Sequence, residues 1–145
     1  MIEPWDGTDF SGSKLAAYCG QRLITYRRDD KPGIPWPGWI DLPGGGREAD
    51  EDPLATGLRE LGEEFGLWLP PARITWARPF PSLRAGEGVG WFLALSITPD
   101  EVAAISFGDE GQCWQMLDVV DFLAATDAVG SLQARVRTWL KDAVF

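Results

Sequence analysis

With 145 residues, 45% apolar content and eight tryptophans, the chain suits one packed domain that buries roughly two thirds of its unfolded surface, and it does not suit a disordered protein. The net charge of −9 argues against nucleic-acid backbones or anionic membranes as partners, because both call for clustered Lys and Arg. The absence of histidine excludes His-ligated zinc, Ser-His or Cys-His nucleophiles and imidazole general bases.

In chain order, residues 1–12 read as a loose N-terminal extension and residues 13–145 as a single domain. Lys14–Cys19 and Gln21–Arg27 read as strands joined around Gly20. The segment KPGIPWPG, residues 31–38, carries three prolines and two glycines and must be an irregular loop. Trp39–Leu42 reads as a short strand, and the glycines at 44–46 as a turn. Asp52 followed by Pro53 has the form of an N-cap and first helical residue, which starts a helix running to Phe65 and stopping at Gly66. Gly57 and Gly62 inside it each cost about 1 kcal/mol relative to Ala, so their small size is expected to admit a neighbouring strand. Ile74–Phe80 and Gly90–Ile97 read as strands, the second a continuous apolar run fit for a sheet centre. A helix start at Thr98, a strand over Gln112–Leu117, a short helix over Val119–Ala124 and an amphipathic closing helix marked by Leu132, Val136, Trp139 and Leu140 complete the chain. This order of elements fits an α/β fold in which helices cover a sheet.

Cys19 and Cys113 lie far apart among apolar or strand-like residues, and read as two core thiols in a reducing compartment. No run reaches the roughly 18–20 apolar residues that span a bilayer, and the first residues lack the basic start and apolar core of a signal peptide. A soluble cytoplasmic protein is expected.

The chemistry concentrates in Gly45 to Leu67, GGREADEDPLATGLRELGEEFGL. Leu54, Leu58, Leu61 and Phe65 recur at steps of four, three and four, the spacing of one buried helical face. At about 100° per residue, Glu60, Glu63 and Glu64 fall together on the roughly opposite side. A Glu-rich face is ordinarily just solvated surface, but two local features oppose that reading here. The like-charged pairs three and four apart each cost roughly 0.2–0.5 kcal/mol, and Glu63 and Glu64 occupy the last turn, where the helix dipole prefers a cation. Clustered carboxylates can instead hold hard divalent cations, which activate water against phosphate esters. An acidic protein can bind a small polyphosphate when metal ions neutralise both sides.

The run resembles the Nudix box, met without mismatch at Gly45, Glu51, Arg59, Glu60, Leu61, Glu63, Glu64, Gly66 and Leu67. The lead-in from Trp39 to Gly45 is similar to the strand and turn that enter this box. The resemblance implies an α/β/α sandwich with a mixed β-sheet, a pyrophosphohydrolase acting on a phosphoric anhydride, and Mg²⁺ or Mn²⁺ as cofactor. It assigns Glu60, Glu63 and Glu64 to the metal, with the backbone carbonyl of Gly45 as a further ligand. Arg59 is expected to orient these carboxylates. Glu51 pairs with Arg59, contacts a metal-bound water or faces the helix dipole.

Glu110, in the loop before a late strand, is the expected general base or extra ligand, with Asp109 and Glu87 as rivals. Arg28 and Arg47 are candidates for contacting substrate phosphates, and Trp36, Phe80 or Trp91 for stacking on a base. Pro79 to Ser82 only faintly resembles part of the array that marks NADH pyrophosphatases. The implied substrate is a small-molecule nucleotide: a nucleoside diphosphate linked to another moiety, such as a nucleoside triphosphate or ADP-ribose. Two alternatives are a non-catalytic Nudix-fold nucleotide-binding or sensor module, expected to have lost the metal glutamates, and an interaction domain using its acidic helix as a charged surface. Homodimers are common in the family, and nothing in the chain establishes one.

Overall fold

The computed structural model describes residues 1–83 and 88–143. The strands are β1 (Gly12–Cys19), β2 (Arg22–Arg27), β3 (Ile40–Asp41), β4 (Gly44–Gly46), β5 (Ile74–Pro81), β6 (Val89–Ser96) and β7 (Cys113–Asp118). The helices are α1 (Pro53–Phe65), α2 (Pro99–Ala103), α3 (Val119–Ala124) and α4 (Gly130–Asp142), with a short 3₁₀ turn at Pro71–Arg73. The strands form one mixed sheet in the order β3-β2-β1-β6-β5, with β4 also pairing to β1 and β7 to β2. β1 and β6 run parallel at its centre, placing Leu15 beside Leu93 and Ala16 beside Ala94. The other pairings are antiparallel.

The period-two alternation of the central strands divides the core into two layers. Leu15, Ala17, Leu93 and Leu95 face α1 through Leu58, Leu61 and Phe65. Ala16, Phe92 and Ala94 face the opposite side, where Phe122 of α3 and Leu132, Val136 and Trp139 of α4 cover them. Helices on both faces of a mixed sheet make the expected α/β/α sandwich.

Helix α1 begins and ends where its sequence signals place it. The Asp52 carboxylate accepts from the Ala55 N–H at 2.8 Å, Pro53 opens the first turn, and Gly66 closes the helix at φ 71°. Gly57 admits the sheet as expected, since a Cβ there would lie 2.5 Å from Leu93 Cδ1. Gly62 differs, because the indole of Trp68, not a strand, covers it.

Three other readings change. The glycines at 44–46 form β4, an antiparallel partner that aligns Gly45 with Ser13 and Gly44 with Lys14. The first dozen residues are tied down rather than loose. Glu3 N–H donates to Ala77 O at 2.9 Å on β5, and Phe10 is buried in the α1-side core. Cys113 is exposed rather than a core thiol, while Cys19 is partly buried, and both are free. Among the described residues no helix is long and apolar enough to cross a membrane.

Candidate active site

The last two turns of α1 and strand β4 form one wall of a cavity of about 480 Å³, and residues 108–110 form another. Six acidic residues line it: Glu48, Glu60, Glu63, Glu64, Asp109 and Glu110. Backbone bonds hold the second wall in place. Gly108 N–H donates to Glu64 O at 2.8 Å and Ser106 N–H to Phe65 O at 3.0 Å, so the loop caps carbonyls that the helix end leaves unpaired. Asp109 and Glu110 therefore line the same cavity as the helical carboxylates. Glu87, the other rival, lies outside the described residues.

The three helical glutamates are not equivalent. Glu63 is half exposed, Glu60 is largely covered, and Glu64 is only 6% exposed. Glu64 thus sits on the flank of the apolar stripe rather than across from it, against the sheet. Its Oε1 accepts from the Gly44 N–H at 2.8 Å. Burial pushes its pKa up to about 8, against the pull of Lys14 and the Gly44 N–H, and the nearby Glu60 and Asp41 carboxylates add to the rise. Burial also raises Glu60, although Arg59 opposes it. The Glu60 carboxyl packs directly on Gly45, where a Cβ would lie 2.6 Å from its carboxyl carbon.

Arg59 binds the cluster together. Its Nε donates to Glu51 Oε2 at 2.8 Å, Nη1 to Glu60 Oε1 at 2.9 Å and to Glu63 Oε2 at 3.2 Å, and Nη2 to Gly46 O at 2.8 Å. A planar fork with several acceptors is held in one orientation and remains charged. Glu51 pairs with Arg59, and this bond is the main reason its carboxyl lies below the ordinary range. Thr56 Oγ1 and the Glu48 N–H also donate to Glu51, fixing the Arg59 anchor from below.

The register of β4 decides which way its carbonyls turn. In an antiparallel pair, alternate residues turn their N–H and C=O toward the partner strand. Gly45 turns its carbonyl onto Gly12 of β1. Gly44 turns away, its N–H to Glu64 and its carbonyl 3.4 Å from Lys14 Nζ. The carbonyl of Gly45, the expected ligand, is therefore turned toward β1, while that of Gly44 lies beside Lys14.

The structure gives both candidate phosphate-binding arginines other partners. Arg28 Nη1 donates to Asp41 Oδ2 at 2.8 Å and its Nε to Pro35 O at 2.8 Å. Arg47 donates to Asp9 Oδ1 at 2.7 Å and to Glu51 O at 2.8 Å, and stacks 4.7 Å from the Phe10 ring centroid. It secures the N-terminal segment. Of the candidate stacking residues, Trp91 belongs to the α1-side core, while Trp36 and Phe80 pack at the margin of the other one.

A buried polar network beneath the cavity went unread in the sequence. Asp41, 2% exposed, accepts from Lys14 Nζ at 3.2 Å, Arg28 Nη1 at 2.8 Å and Tyr26 Oη at 3.0 Å. Burial pulls the Asp41 carboxyl up, but Lys14 and Arg28 together outweigh it and hold it below the ordinary range. The available signal was one acid between Ile40 and Leu42 and one lysine leading the apolar run of β1, opposite charges in two buried strands.

The NUDIX domain family model matches residues 19–135, and the chain belongs to the Nudix family. An RNA pyrophosphohydrolase from Gluconacetobacter diazotrophicus is 35% identical over 120 residues, covering 68% of this chain and 70% of the relative. The MutT protein of Methanosarcina mazei Go1 shares the fold with a TM-score of 0.71 at 16% identity, covering 96% of this chain and 98% of that one. A bifunctional NMN adenylyltransferase/ADP ribose pyrophosphatase from Francisella tularensis, complexed with AMP and a Mn ion, has a TM-score of 0.69 at 15% identity, covering 97% of this chain and 43% of that one.

Proposed function

We propose that this Nudix pyrophosphohydrolase uses Mg²⁺ or Mn²⁺, held by Glu60, Glu63 and Glu64, to cleave the pyrophosphate bond of a nucleoside diphosphate linked to another moiety. The observation that carries this reading is the cavity itself, where six acidic residues face one space and Glu64 is buried with too little positive charge beside it. The donor set fits a hard cation, since carboxylate and carbonyl oxygens are what Mg²⁺ and Mn²⁺ prefer. Among the described residues the acidic side chains do not converge into a closed ligand cluster, because Arg59 Nη1 holds Glu60 and Glu63 and the Gly44 N–H holds Glu64. Such a cation, once bound, would neutralise the pyrophosphate and lower the pKa of the attacking water.

The chain's own residues then divide the work. The Gly44 N–H fixes one Glu64 oxygen, and the other is the one assigned here to the metal. Arg59, anchored on Glu51, holds Glu60 and Glu63 in orientation. Glu110, which lines the cavity with Asp109 adjacent, is our candidate to accept the proton of the attacking water. Attack on one phosphorus breaks a P–O–P bond and yields a monophosphate with either a phosphorylated partner or pyrophosphate.

A nucleoside triphosphate or a nucleotide sugar such as ADP-ribose is the favoured substrate class, supported by AMP and Mn in the Francisella tularensis neighbour. The name of the Gluconacetobacter diazotrophicus relative supports a second reading, the 5′ end of an RNA. The net charge of −9 weighs against contacts along an RNA backbone. The full set of metal glutamates weighs against a non-catalytic sensor. Free cysteines fit a reducing cytoplasm. The test is a hydrolysis panel with Mg²⁺ or Mn²⁺, comparing nucleoside triphosphates, ADP-ribose and a 5′-triphosphorylated oligonucleotide. Turnover of small nucleotides supports the first reading and turnover of the oligonucleotide alone the second. Tight nucleotide binding without turnover contradicts both.

A further inference from the structure

Strand β4 borders two cavities, and the second one has the opposite electrostatic character. It holds about 240 Å³ between β1, β4, the ends of β5 and β6, and α4, with Gly45 and Gly46 in its wall as in that of the acidic one. Arg135 of α4 lines it and is only 3% exposed. Its Nη2 donates to Pro81 O at 2.9 Å and its guanidinium lies 5.3 Å from the Phe80 ring centroid. Among the described residues no carboxylate pairs with it. Arg22, Arg27, Arg28, Arg47, Arg59, Arg73 and Arg78 each pair with a carboxylate and Arg137 bonds a backbone carbonyl, whereas burial alone pulls Arg135 down to about 10. Arg135 thus buries its charge with no counter-ion among the described residues.

The floor next to Arg135 is kept open. A Cβ on Gly90 would lie 3.3 Å from Nη2, and Ser11 and Ser82, whose hydroxyls are 3.2 Å apart, supply polar groups at the rim. A neutral ligand would leave the guanidinium charge uncompensated, and an anion would neutralise it. The volume is below the roughly 300–1,000 Å³ of ordinary small-molecule pockets, too small for a whole nucleotide and large enough for one phosphate with water.

We infer that this cavity is an anion subsite in which Arg135 holds a phosphate group other than those of the anhydride being cleaved. Inference of its role rests on the reading of the neighbouring cavity as the hydrolytic site. The fork geometry of arginine matches phosphate oxygens in pairs, and the Phe80 ring backs the guanidinium. The enzyme would then select substrates bearing an additional phosphate over those whose second moiety is uncharged.

The experiment is thermal unfolding in chelator, with inorganic phosphate titrated against chloride at matched ionic strength. Wild-type protein is expected to gain on the order of 2–4 °C near saturation. Arg135→Met should lose that gain yet unfold no lower than wild type without phosphate, because it removes an uncompensated buried charge. Arg135→Lys should retain part of the gain, since it keeps the charge and loses the fork. Glu64→Gln should respond like wild type, which separates this subsite from the metal reading: loss of hydrolysis there leaves phosphate binding intact. In steady-state kinetics with a nucleoside triphosphate, a raised KM at unchanged kcat in Arg135→Met places a substrate phosphate in the cavity. An unchanged KM with lost inhibition by inorganic phosphate places a free phosphate, and no substrate phosphate, there and overturns the substrate role. An equal phosphate response in wild type and Arg135→Met, or none in wild type, overturns the inference.

Discussion

Asp41 and Glu64 are both buried carboxylates, 2% and 6% exposed, at the two ends of one polar network, yet their ionisation is shifted in opposite directions. Asp41 has Lys14, Arg28 and the Tyr26 hydroxyl on it and stays ionised. Glu64 has one backbone N–H, a second carboxylate nearby in Glu60, and no cation in direct contact among the described residues. Burial is common to both, so the difference lies in the partners. A carboxylate supplied with cations by the chain is structural. One left short of positive charge beside an acidic cavity is arranged for a cation from solution.

The same substitution at the two positions should therefore give unlike results. Asp41→Asn strands Lys14 and Arg28 and should destabilise the fold by about 3–5 kcal/mol, read by denaturant unfolding. Glu64→Gln should leave metal-free stability unchanged or raised, while lowering kcat on the order of 10²–10³-fold. Equal destabilisation by both variants would break the comparison. Arg59→Lys keeps the charge but loses the fork that reaches Glu51, Glu60, Glu63 and Gly46 together, and should reduce metal affinity or activity about 10–100-fold.

The pH dependence of metal-free stability sharpens the contrast further. Glu64 has a folded pKa of about 8, above the ordinary 4.5, so the folded state holds its proton more tightly than the unfolded chain. Its contribution is fully present below pH 4.5 and is lost as the pH rises through 8. Asp41 has the opposite sign. Its folded pKa is lowered from 3.8, so its contribution is present above 3.8 and is lost as the pH falls through the lowered folded value. Unfolding curves of wild type across these windows should show both losses, and Glu64→Gln should remove only the alkaline one.

How far the sequence reveals this site follows the range of the interactions involved. The cap at Asp52, the stop at Gly66 and the apolar stripe of α1 depend on neighbours within a few residues, and the chain spells them out. The spacing of Glu60, Glu63 and Glu64 was legible for the same reason. Their unequal burial was not, because Glu64 owes it to Gly44, a strand away. The outward turn of the Gly44 carbonyl depends on the register of β4 against β1, which the glycines, having no side chains, do not pattern. Arg28 and Arg47 looked available because the partners that occupy them, Asp41 and Asp9, are distant in sequence. Arg135 was closer to legible, since it lies on the same face of α4 as Leu132, Val136 and Trp139 and so breaks the apolar stripe there.

The central claim is that the Glu64 cavity is a divalent-cation site, and a Mn²⁺ titration followed by the electron paramagnetic resonance of the free ion tests it without relying on turnover. Wild-type protein should take up Mn²⁺ in saturable fashion, and Glu64→Gln should lose that uptake while Asp109→Asn keeps most of it. Equal uptake by wild type and Glu64→Gln, or no saturable uptake by wild type, would contradict the account.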